Sequence, residues 1–363
     1  MTGTKCIDLT DRSRKEKLSS NRDDLRRLKV RFYYPGKDDP DKAPAKMLRE
    51  NVLKGLEIND LDFSFYHQRV KVYEDLEIAD GCFPLILFSH GYGACAEQNS
   101  DLFSQLADKG FIIASIDHTY EAADVVFEDG TVIDFDTSLM EKMHKTCLTS
   151  HLDDFIMYRL KHSPKRALRY FDRHQRRYDS FMMERLEEWV KDDLFVLSQI
   201  HEMAQDRESF LYQKIDFSKG VGAIGHSFGG AAAYHHCVYA DEISCGVNMD
   251  GSLYGDYGDR INHKPFMQIV ANDDTNTVAR AFLYHDKPLH YLSFADMAHL
   301  GFTDLKFVTH NKDYVGTSDP IKTIDTLNSS IIAFFERYLK KGDTENSTRF
   351  DIDESVLLRY EVM

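Results

Sequence analysis

The feature that most constrains the fold of this chain is a Gly-x-Ser-x-Gly motif within residues 221–233, between a short apolar run and an Ala-rich run. A serine between a strand and a helix of this kind occupies a sharp turn, which is the context of a nucleophile elbow. Gly225 and Gly229 lie two residues before and after Ser227, where a bulky side chain would clash with a neighbouring element, and Gly230 lets the helix approach the sheet. The motif alone also occurs in plain Ser/Gly turns. The runs on both sides of it favour Ser227 as a nucleophile.

Composition limits the classes of partner and fold. The formal net charge is −15, and such an acidic surface repels phosphate backbones, which argues against nucleic acid as a partner. No apolar run reaches the roughly 18 residues that indicate a membrane-spanning helix. The 363 residues, 42% of them hydrophobic, suit one α/β domain with insertions, so we predict a single domain over residues 1–363.

Patterns typical of secretion, metal binding and cofactor binding are missing from the sequence. The first residues lack the apolar segment of a signal peptide, and the six scattered cysteines include no Cys-x-x-Cys pair. Reduced thiols in a cytoplasmic protein fit this pattern better than a disulfide framework. There is no His-Glu-x-x-His motif and no Cys/His spacing suited to zinc, and no Lys-Ser/Thr follows the glycines around Ser227 as in a phosphate-binding loop. We therefore expect neither a metal nor a cofactor.

Continuous apolar runs predict strands that are buried on both faces of a mostly parallel sheet. Residues 83–89 and 111–116 are such runs, and residues 99–109 between them have the apolar spacing of a helix, which makes a strand–helix–strand crossover. Further strands are predicted at 5–9, 28–34, 244–249, 265–271 and 289–294. With a last long helix at 320–339, the pattern predicts an α/β fold: a mostly parallel central sheet with helices on both faces.

Three segments depart from this strand and helix alternation. Residues 131–215 contain two helical patterns, at 139–160 and 182–203, and we predict that they form an inserted helical lid. Residues 11–27 are densely charged and are predicted to be a solvated connection. Residues 343–363 are predicted to be an acidic C-terminal tail, and we expect its acidic stretch at 343–354 to be frayed.

Two features of the predicted lid each allow two interpretations. Residues 159–177 hold eight Lys/Arg against one acid, Asp172. Such a block could attract anionic headgroups or an acidic substrate, but a solvated helix face is the favoured interpretation. Four methionines could form an adaptable acyl pocket, although packing of the lid against the body is favoured: Met140, Met143, Met182 and Met183.

A serine hydroxyl becomes a good nucleophile only when an imidazole accepts its proton, and a carboxylate must orient that imidazole. After a nucleophile elbow, the order along the chain is Ser, then acid, then His. His299 follows the last predicted strand, at the edge of the sheet where Ser227 is expected. The other downstream histidines of the predicted sheet region lie on the helix after the elbow or at the wrong end of a strand. We therefore predict His299 as the general base.

The acid has candidates in two loops that position alone does not separate. Asp250 follows the strand after the nucleophile, whereas Asp273 and Asp274 follow the next strand. Either loop can present a carboxylate to Nδ1 of His299, although both sequences are also common in plain turns. Asp296, three residues before His299, is expected to form only local hydrogen bonds.

The negative charge that develops on a carbonyl oxygen during acyl transfer requires backbone N–H donors, each worth about 3–4 kcal/mol. One predicted donor is the N–H of Phe228, directly after Ser227. The other is expected in the glycine-rich residues 90–94, after the strand at 83–89, where we predict the N–H of Tyr92. A plain strand-to-loop turn is the alternative for His90 and Gly91.

Four segments together resemble one known family: residues 83–94, 225–231, 245–250 and 297–302. They are similar to the platelet-activating factor acetylhydrolase (plasma/isoform II) family, a branch of the α/β-hydrolases close to dienelactone-hydrolase-like esterases. The resemblance covers most of residues 1–335 except the predicted lid. It implies an α/β-hydrolase fold, and it implies Asp250 as the acid.

The resemblance also supports the roles given above to Ser227, His299 and the amides of Tyr92 and Phe228. The implied activity is calcium-independent hydrolysis, through an acyl-enzyme, of a short or oxidised acyl group from a phospholipid or of a simpler ester. Within the same fold, a general carboxylesterase or thioesterase is the alternative. From a different class, the alternative is a non-catalytic binding protein with a hydrolase fold.

Overall fold

The computed structural model describes residues 1–45, 47–48, 53, 58, 60–146, 156–157, 159–160, 163–178, 180–342 and 348–363, without the side chains of 143–146. Two predictions lie partly outside these residues, namely the helix at 139–160 and the start of the tail at 343–363. The predicted packing of Met143 lies outside them as well.

A large sheet forms the centre of the molecule. Its strands and a separate small hairpin are, in chain order, β1 (Thr2–Lys15), β2 (Leu25–Pro35), β3 (Val72–Glu74), β4 (Phe83–Ser89), β5 (Ile112–His118), β6 (Val125–Val126), β7 (Val132–Ile133), β8 (Ile215–Asp216), β9 (Val221–His226), β10 (Ile243–Met249), β11 (Phe266–Ala271), β12 (Leu289–Phe294) and β13 (Leu357–Val362). The order across the sheet is β13-β12-β11-β10-β9-β4-β5-β2-β1-β3, with β8 beside β4 and β6–β7 apart. Neighbours from β12 to β5 run parallel, whereas β13 and β2 pair antiparallel at the two ends of that block. The predicted mostly parallel central sheet is confirmed.

Helices cover both faces of the sheet. In chain order they are α1 (Ser64–Arg69), α2 (Ser100–Asp108), α3 (Thr137–Thr146), α4 (Pro164–Tyr178), α5 (Ser180–Met203), α6 (Phe228–Tyr239), α7 (Ala279–Leu283), α8 (Lys312–Val315) and α9 (Pro320–Phe335). Successive side chains of a strand point to opposite faces. Leu85 and Leu87 of β4 therefore lie in one core with α5 and α6, and Ile86 and Phe88 lie in the other with α2 and α9. Within the described residues, no helix is long and apolar enough to cross a membrane.

The charged segment at residues 11–27 is more ordered than was predicted. The predicted solvated connection is wrong at its two ends, because β1 continues to Lys15 and pairs with β2 from Leu25 onwards, and only residues 16–24 connect the two strands. Arg26 is buried and donates hydrogen bonds to Glu16 (2.8 Å) and to Asp192 of α5 (2.5 and 3.1 Å). Opposite charges compensate one another here, and that compensation allows a charged segment to enter the core.

The last residues also differ from the acidic tail that was predicted at 343–363. Residues 357–362 form β13, which pairs antiparallel with β12 at the edge of the sheet. Tyr360 is buried there, and its hydroxyl oxygen accepts a hydrogen bond from the N–H of Phe350 at 2.7 Å. Pairing with an otherwise open edge and burial of Tyr360 are the physical reasons that this end of the chain is ordered.

The C-terminal half of the predicted lid is a layer of the body. Val196, Leu197 and Ile200 of α5 are buried in the core that contains Leu85 and Leu87 of β4. Such a stripe at helical spacing buries one face of α5 against the sheet. The term lid can therefore apply only to the part of 131–215 that precedes α5.

The basic block lies mostly on α4, whose Ala167, Leu168 and Phe171 face inward. The Lys/Arg side chains of α4 are all exposed: Lys165, Arg166, Arg169, Arg173, Arg176 and Arg177. Arg176 pairs with the exposed Asp256 at 3.0 Å. This distribution agrees with the interpretation of the block as a solvated helix face.

Several histidines are buried in the neutral form. Burial lowers the pKa of His90 and of His290 to about 3, and burial together with nearby His299 lowers the pKa of His226 well below its usual value. Nε2 of His290 lies 2.8 Å from the hydroxyl of Tyr338. A neutral imidazole can be buried with one such partner at far smaller cost than an imidazolium.

We predict that the free energy of unfolding decreases as the pH falls below about 6.5. In this range the unfolded chain protonates these histidines whereas the folded chain does so only near pH 3 for His90 and His290, so each group contributes a slope of up to about 1.4 kcal/mol per pH unit. Urea unfolding at several pH values from 4.5 to 7.5 measures this slope.

Matched substitutions assign the slope. His290→Gln should make it shallower, whereas His310→Gln, at an exposed position, should leave it unchanged. An unchanged slope in His290→Gln would contradict the prediction.

Candidate active site

The turn between β9 and α6 carries Ser227 in a strained backbone conformation. Its φ is 54° and its ψ is −119°, in a region that non-glycine residues rarely adopt. A Cβ on Gly225 would lie 2.1 Å from the carbonyl carbon of Gly229, and a Cβ on Gly229 would lie 2.0 Å from the carbonyl oxygen of Ser89. The two glycines therefore allow the turn to form against the end of β4, as the motif predicts.

Three side chains from three loops lie in line at the carboxyl edge of the sheet. Oγ of Ser227 lies 2.8 Å from Nε2 of His299, and Nδ1 of His299 lies 2.6 Å from Oδ2 of Asp250. Asp250 directly follows β10, and His299 begins a short 3₁₀ turn after β12. An imidazole that donates its Nδ1–H to the carboxylate presents its Nε2 lone pair to the serine hydroxyl. The arrangement can therefore remove the proton of Ser227.

The structure brings Asp250, and neither Asp273 nor Asp274, to His299. Oδ1 of Asp273 accepts a hydrogen bond from the hydroxyl of Tyr291 at 2.6 Å, and Oδ1 of Asp274 accepts one from a backbone N–H in its own turn. The second oxygen of Asp250, Oδ1, accepts a hydrogen bond from the N–H of Ala271 at 2.9 Å, which fixes the orientation of its carboxylate.

Two backbone N–H groups beside Ser227 have no acceptor within the part of the chain that the structure describes: those of Tyr92 and Phe228. The amides on either side of Tyr92 are both engaged. Gly91 N–H donates to Oε1 of Gln98 at 3.0 Å, and Gly93 N–H donates to the carbonyl of Glu121 at 2.8 Å. The loop is thus fixed around a free amide, which can serve a developing negative charge.

His90 also fixes the loop of Tyr92, a role that was not predicted from the sequence. Its Nδ1–H donates to the carbonyl of Gly91 at 2.7 Å, and its Nε2 accepts the backbone N–H of His118 at 3.3 Å. Its low pKa keeps one proton on the ring, so the two nitrogens can make these opposite hydrogen bonds.

His226, between Gly225 and Ser227, holds the backbone of His299 in a similar way. It is buried, and its Nε2–H donates to the carbonyl oxygen of His299 at 2.9 Å. Both the side chain of His299 and the backbone of its 3₁₀ turn are therefore connected to the turn that carries Ser227. The variable position of the motif gave no sequence signal for this contact.

Ser227 lies in the wall of a cavity of about 670 Å³, and that wall is mostly apolar. The segment before α5 contributes Phe135 and Met140 to this wall, and α5 contributes Met182. Tyr254 lies on another side of the cavity. Met140 and Met182 line the cavity, which was the alternative interpretation of the methionines, and Met182 also packs against Phe228 and α6, which was the favoured one.

A buried polar cluster on α5 lies next to the 90–94 loop, and it was not predicted from the sequence either. Oδ2 of Asp192 lies 2.9 Å from Nδ1 of His118, and Oδ1 of Asp193 lies 2.9 Å from Oγ of Ser89. Nε2 of His236 donates to the other oxygen of Asp193 at 2.8 Å. The only sequence signal was a pair of acids within an otherwise amphipathic helix.

Comparison with known proteins identifies the family. The family model described as platelet-activating factor acetylhydrolase, isoform II, matches residues 16–355. The chain is similar to a platelet-activating factor acetylhydrolase of Cavia porcellus (25% identical, covering 92% of this chain and 78% of the relative) and to one of Gallus gallus (24% identical, 71% and 62%).

A solved structure shares the fold. The ferulic acid esterase from Streptomyces cinnamoneus superposes with a TM-score of 0.71 at 19% identity, over 99% of this chain and 96% of that one. The predicted α/β-hydrolase fold is thereby confirmed. Because the family model covers nearly the whole sequence, this chain belongs to the platelet-activating factor acetylhydrolase, isoform II, family.

Proposed function

We propose that this protein is a serine esterase in which Ser227 is the nucleophile, His299 the general base and Asp250 the acid. The observation that carries the proposal is the continuous line of contacts from Asp250 through His299 to Ser227, at 2.6 and 2.8 Å, beside an apolar cavity. Oγ of Ser227 attacks the ester carbonyl carbon while Nε2 of His299 takes its proton. The carbonyl oxygen becomes negatively charged.

The amides of Tyr92 and Phe228 stabilise that oxyanion, and the carboxylate of Asp250 stabilises the imidazolium of His299. When the carbonyl reforms, the bond to the alcohol oxygen breaks and His299 donates its proton to the leaving alcohol. A water molecule then attacks the acyl-enzyme by the same route. His299 takes its proton and returns it to Ser227, and the carboxylic acid leaves.

For the substrate, we propose an ester with a short or oxidised acyl group, with the sn-2 ester of a phospholipid as the preferred class. The names of the relatives support this choice, and the mostly apolar cavity supports a lipid-like ester over a polar one. A general carboxylesterase or thioesterase remains the second candidate. We also propose a cytoplasmic location, which is supported by the lack of disulfides among the described cysteines.

A fluorophosphonate probe should label the wild-type protein at Ser227, because the probe needs an activated serine. Ser227→Ala should lose the label, and its turnover of p-nitrophenyl acetate should fall by at least about 10⁴-fold. Mass spectrometry of the labelled peptide checks the position. A well-folded wild-type protein that takes no label would favour the non-catalytic binding protein.

The identity of the acid can be tested by three matched substitutions. Asp250→Asn should reduce kcat by about 10³–10⁴-fold, because His299 loses the carboxylate that selects its tautomer. Asp273→Asn and Asp274→Asn, one loop away, should keep kcat within a few-fold of wild type. Near-normal turnover in Asp250→Asn would remove Asp250 from the proposed mechanism.

Acyl-chain length should affect turnover strongly. Because the proposed substrate carries a short acyl group, we expect kcat/KM for a phospholipid with an sn-2 acetyl group to exceed that for an sn-2 palmitoyl group at least about tenfold. Addition of a calcium chelator should leave both rates unchanged. If p-nitrophenyl esters are hydrolysed and neither phospholipid is, the general carboxylesterase is the correct assignment.

A further inference from the structure

Trp189 of α5 is the single tryptophan of the chain. It contacts the side chains of Tyr92 and Phe228, whose amides are the proposed oxyanion donors. Its side chain is fully buried. The ring of Phe228 meets the indole edge to face at 4.9 Å, and the ring of Tyr92 lies parallel to it at 6.1 Å. His90 meets it edge to face at 5.0 Å, and His118 stacks on it at 3.8 Å and 9°.

We propose that Trp189 is a positioning residue for the oxyanion site, because one rigid indole sets the separation between Tyr92 and Phe228. The two residues come from different loops, one after β4 and one after β9, and they also contact each other edge to face at 5.7 Å. Their free amides can serve one oxygen only if these two loops keep a fixed distance. This inference rests on the proposed function, since it concerns the same oxyanion.

The part of α5 that carries the indole is anchored by the two acids that follow it. Asp192 and Asp193 lie three and four residues after Trp189, on the same side of the helix. Arg26 and His118 donate to Asp192, and Ser89 and His236 donate to Asp193. Burial opposes ionisation of Asp192, but Arg26 outweighs it and keeps the pKa of Asp192 well below its usual range.

These contacts connect α5 to the residues that directly precede the loop. Ser89 is the last residue of β4, and His90 follows it. His118 is the last residue of β5, and it both stacks on Trp189 and gives its N–H to His90. A displacement of α5 would therefore move the indole and the loop of Tyr92 together.

The indole N–H has no acceptor among the described residues, although it is buried. A hydrogen bond therefore does not explain this tryptophan. Its shape does, because a planar ring can contact Tyr92 and Phe228 at once. Replacement by Phe removes an unsatisfied donor together with part of that surface, so it separates the positioning role from a general contribution to stability.

The test uses the full-length protein with Trp189→Phe and Trp189→Leu. We expect kcat for p-nitrophenyl acetate to fall about 10-fold in Trp189→Phe and about 100-fold in Trp189→Leu, with KM within about twofold, because oxyanion contacts act in the transition state. Affinity for a trifluoromethyl ketone, whose carbonyl carbon accepts Oγ of Ser227 and whose oxygen becomes an oxyanion, should fall by the same factors as kcat/KM.

Phe334→Leu is the matched control, since Phe334 is a fully buried aromatic side chain on α9. It should lower the Tm and leave kcat and ketone affinity within twofold. Folded Trp189 variants with wild-type kcat and ketone affinity would overturn the proposal. If both variants fail to fold, the emission of Trp189 in the wild-type protein decides: it should change when the ketone binds, and unchanged emission would also overturn the proposal.

Failure of this inference is distinct from failure of the proposed function. If the wild-type protein hydrolyses no ester, or Ser227→Ala retains its activity, the proposed function itself is wrong. If the wild type is active and Ser227→Ala is not, full kcat in Trp189→Phe and Trp189→Leu contradicts only the role of Trp189.

Discussion

The close approach of the β9–α6 turn to the end of β4 is the contact on which the rest of the site depends. This approach requires that Gly225 and Gly229 have no side chain, since a Cβ at Gly229 would lie 2.0 Å from the carbonyl oxygen of Ser89. This contact sets Ser227 beside the loop of Tyr92. It also makes the parallel order of β4, β9 and β10 directly useful, because the ends of neighbouring parallel strands meet at one edge.

The parts of this site that could be predicted are those that a local pattern specifies. The elbow has a short motif, and the fold places His299 after its last parallel strand. Asp250 and Asp273 could not be separated by position, because each comes shortly after a parallel strand of the same sheet. The hydroxyl of Tyr291, a strand away, distinguishes them, and no local pattern contains that information.

Long-range charge compensation explains most of the buried features that could not be predicted from the sequence. Asp192 finds Arg26 and His118 at separations of 166 and 74 residues, so neither residues 11–27 nor α5 shows from its own composition that it enters the core. A bonding pattern alone is also not enough to identify a site. Asp192, His118 and Ser89 repeat the Asp–His–Ser geometry at 2.9 and 3.2 Å, but all three are buried away from any substrate.

The C-terminal strand has a consequence for how this protein can be handled and extended. Because β13 occupies the outer edge of β12, the backbone N–H and C=O groups of β12 are not available to a second chain. That protection depends on residues 357–362, and β12, which they cover, also leads to His299. A tag or fusion partner placed close to β13 would therefore compete with this pairing unless a flexible spacer separated the two.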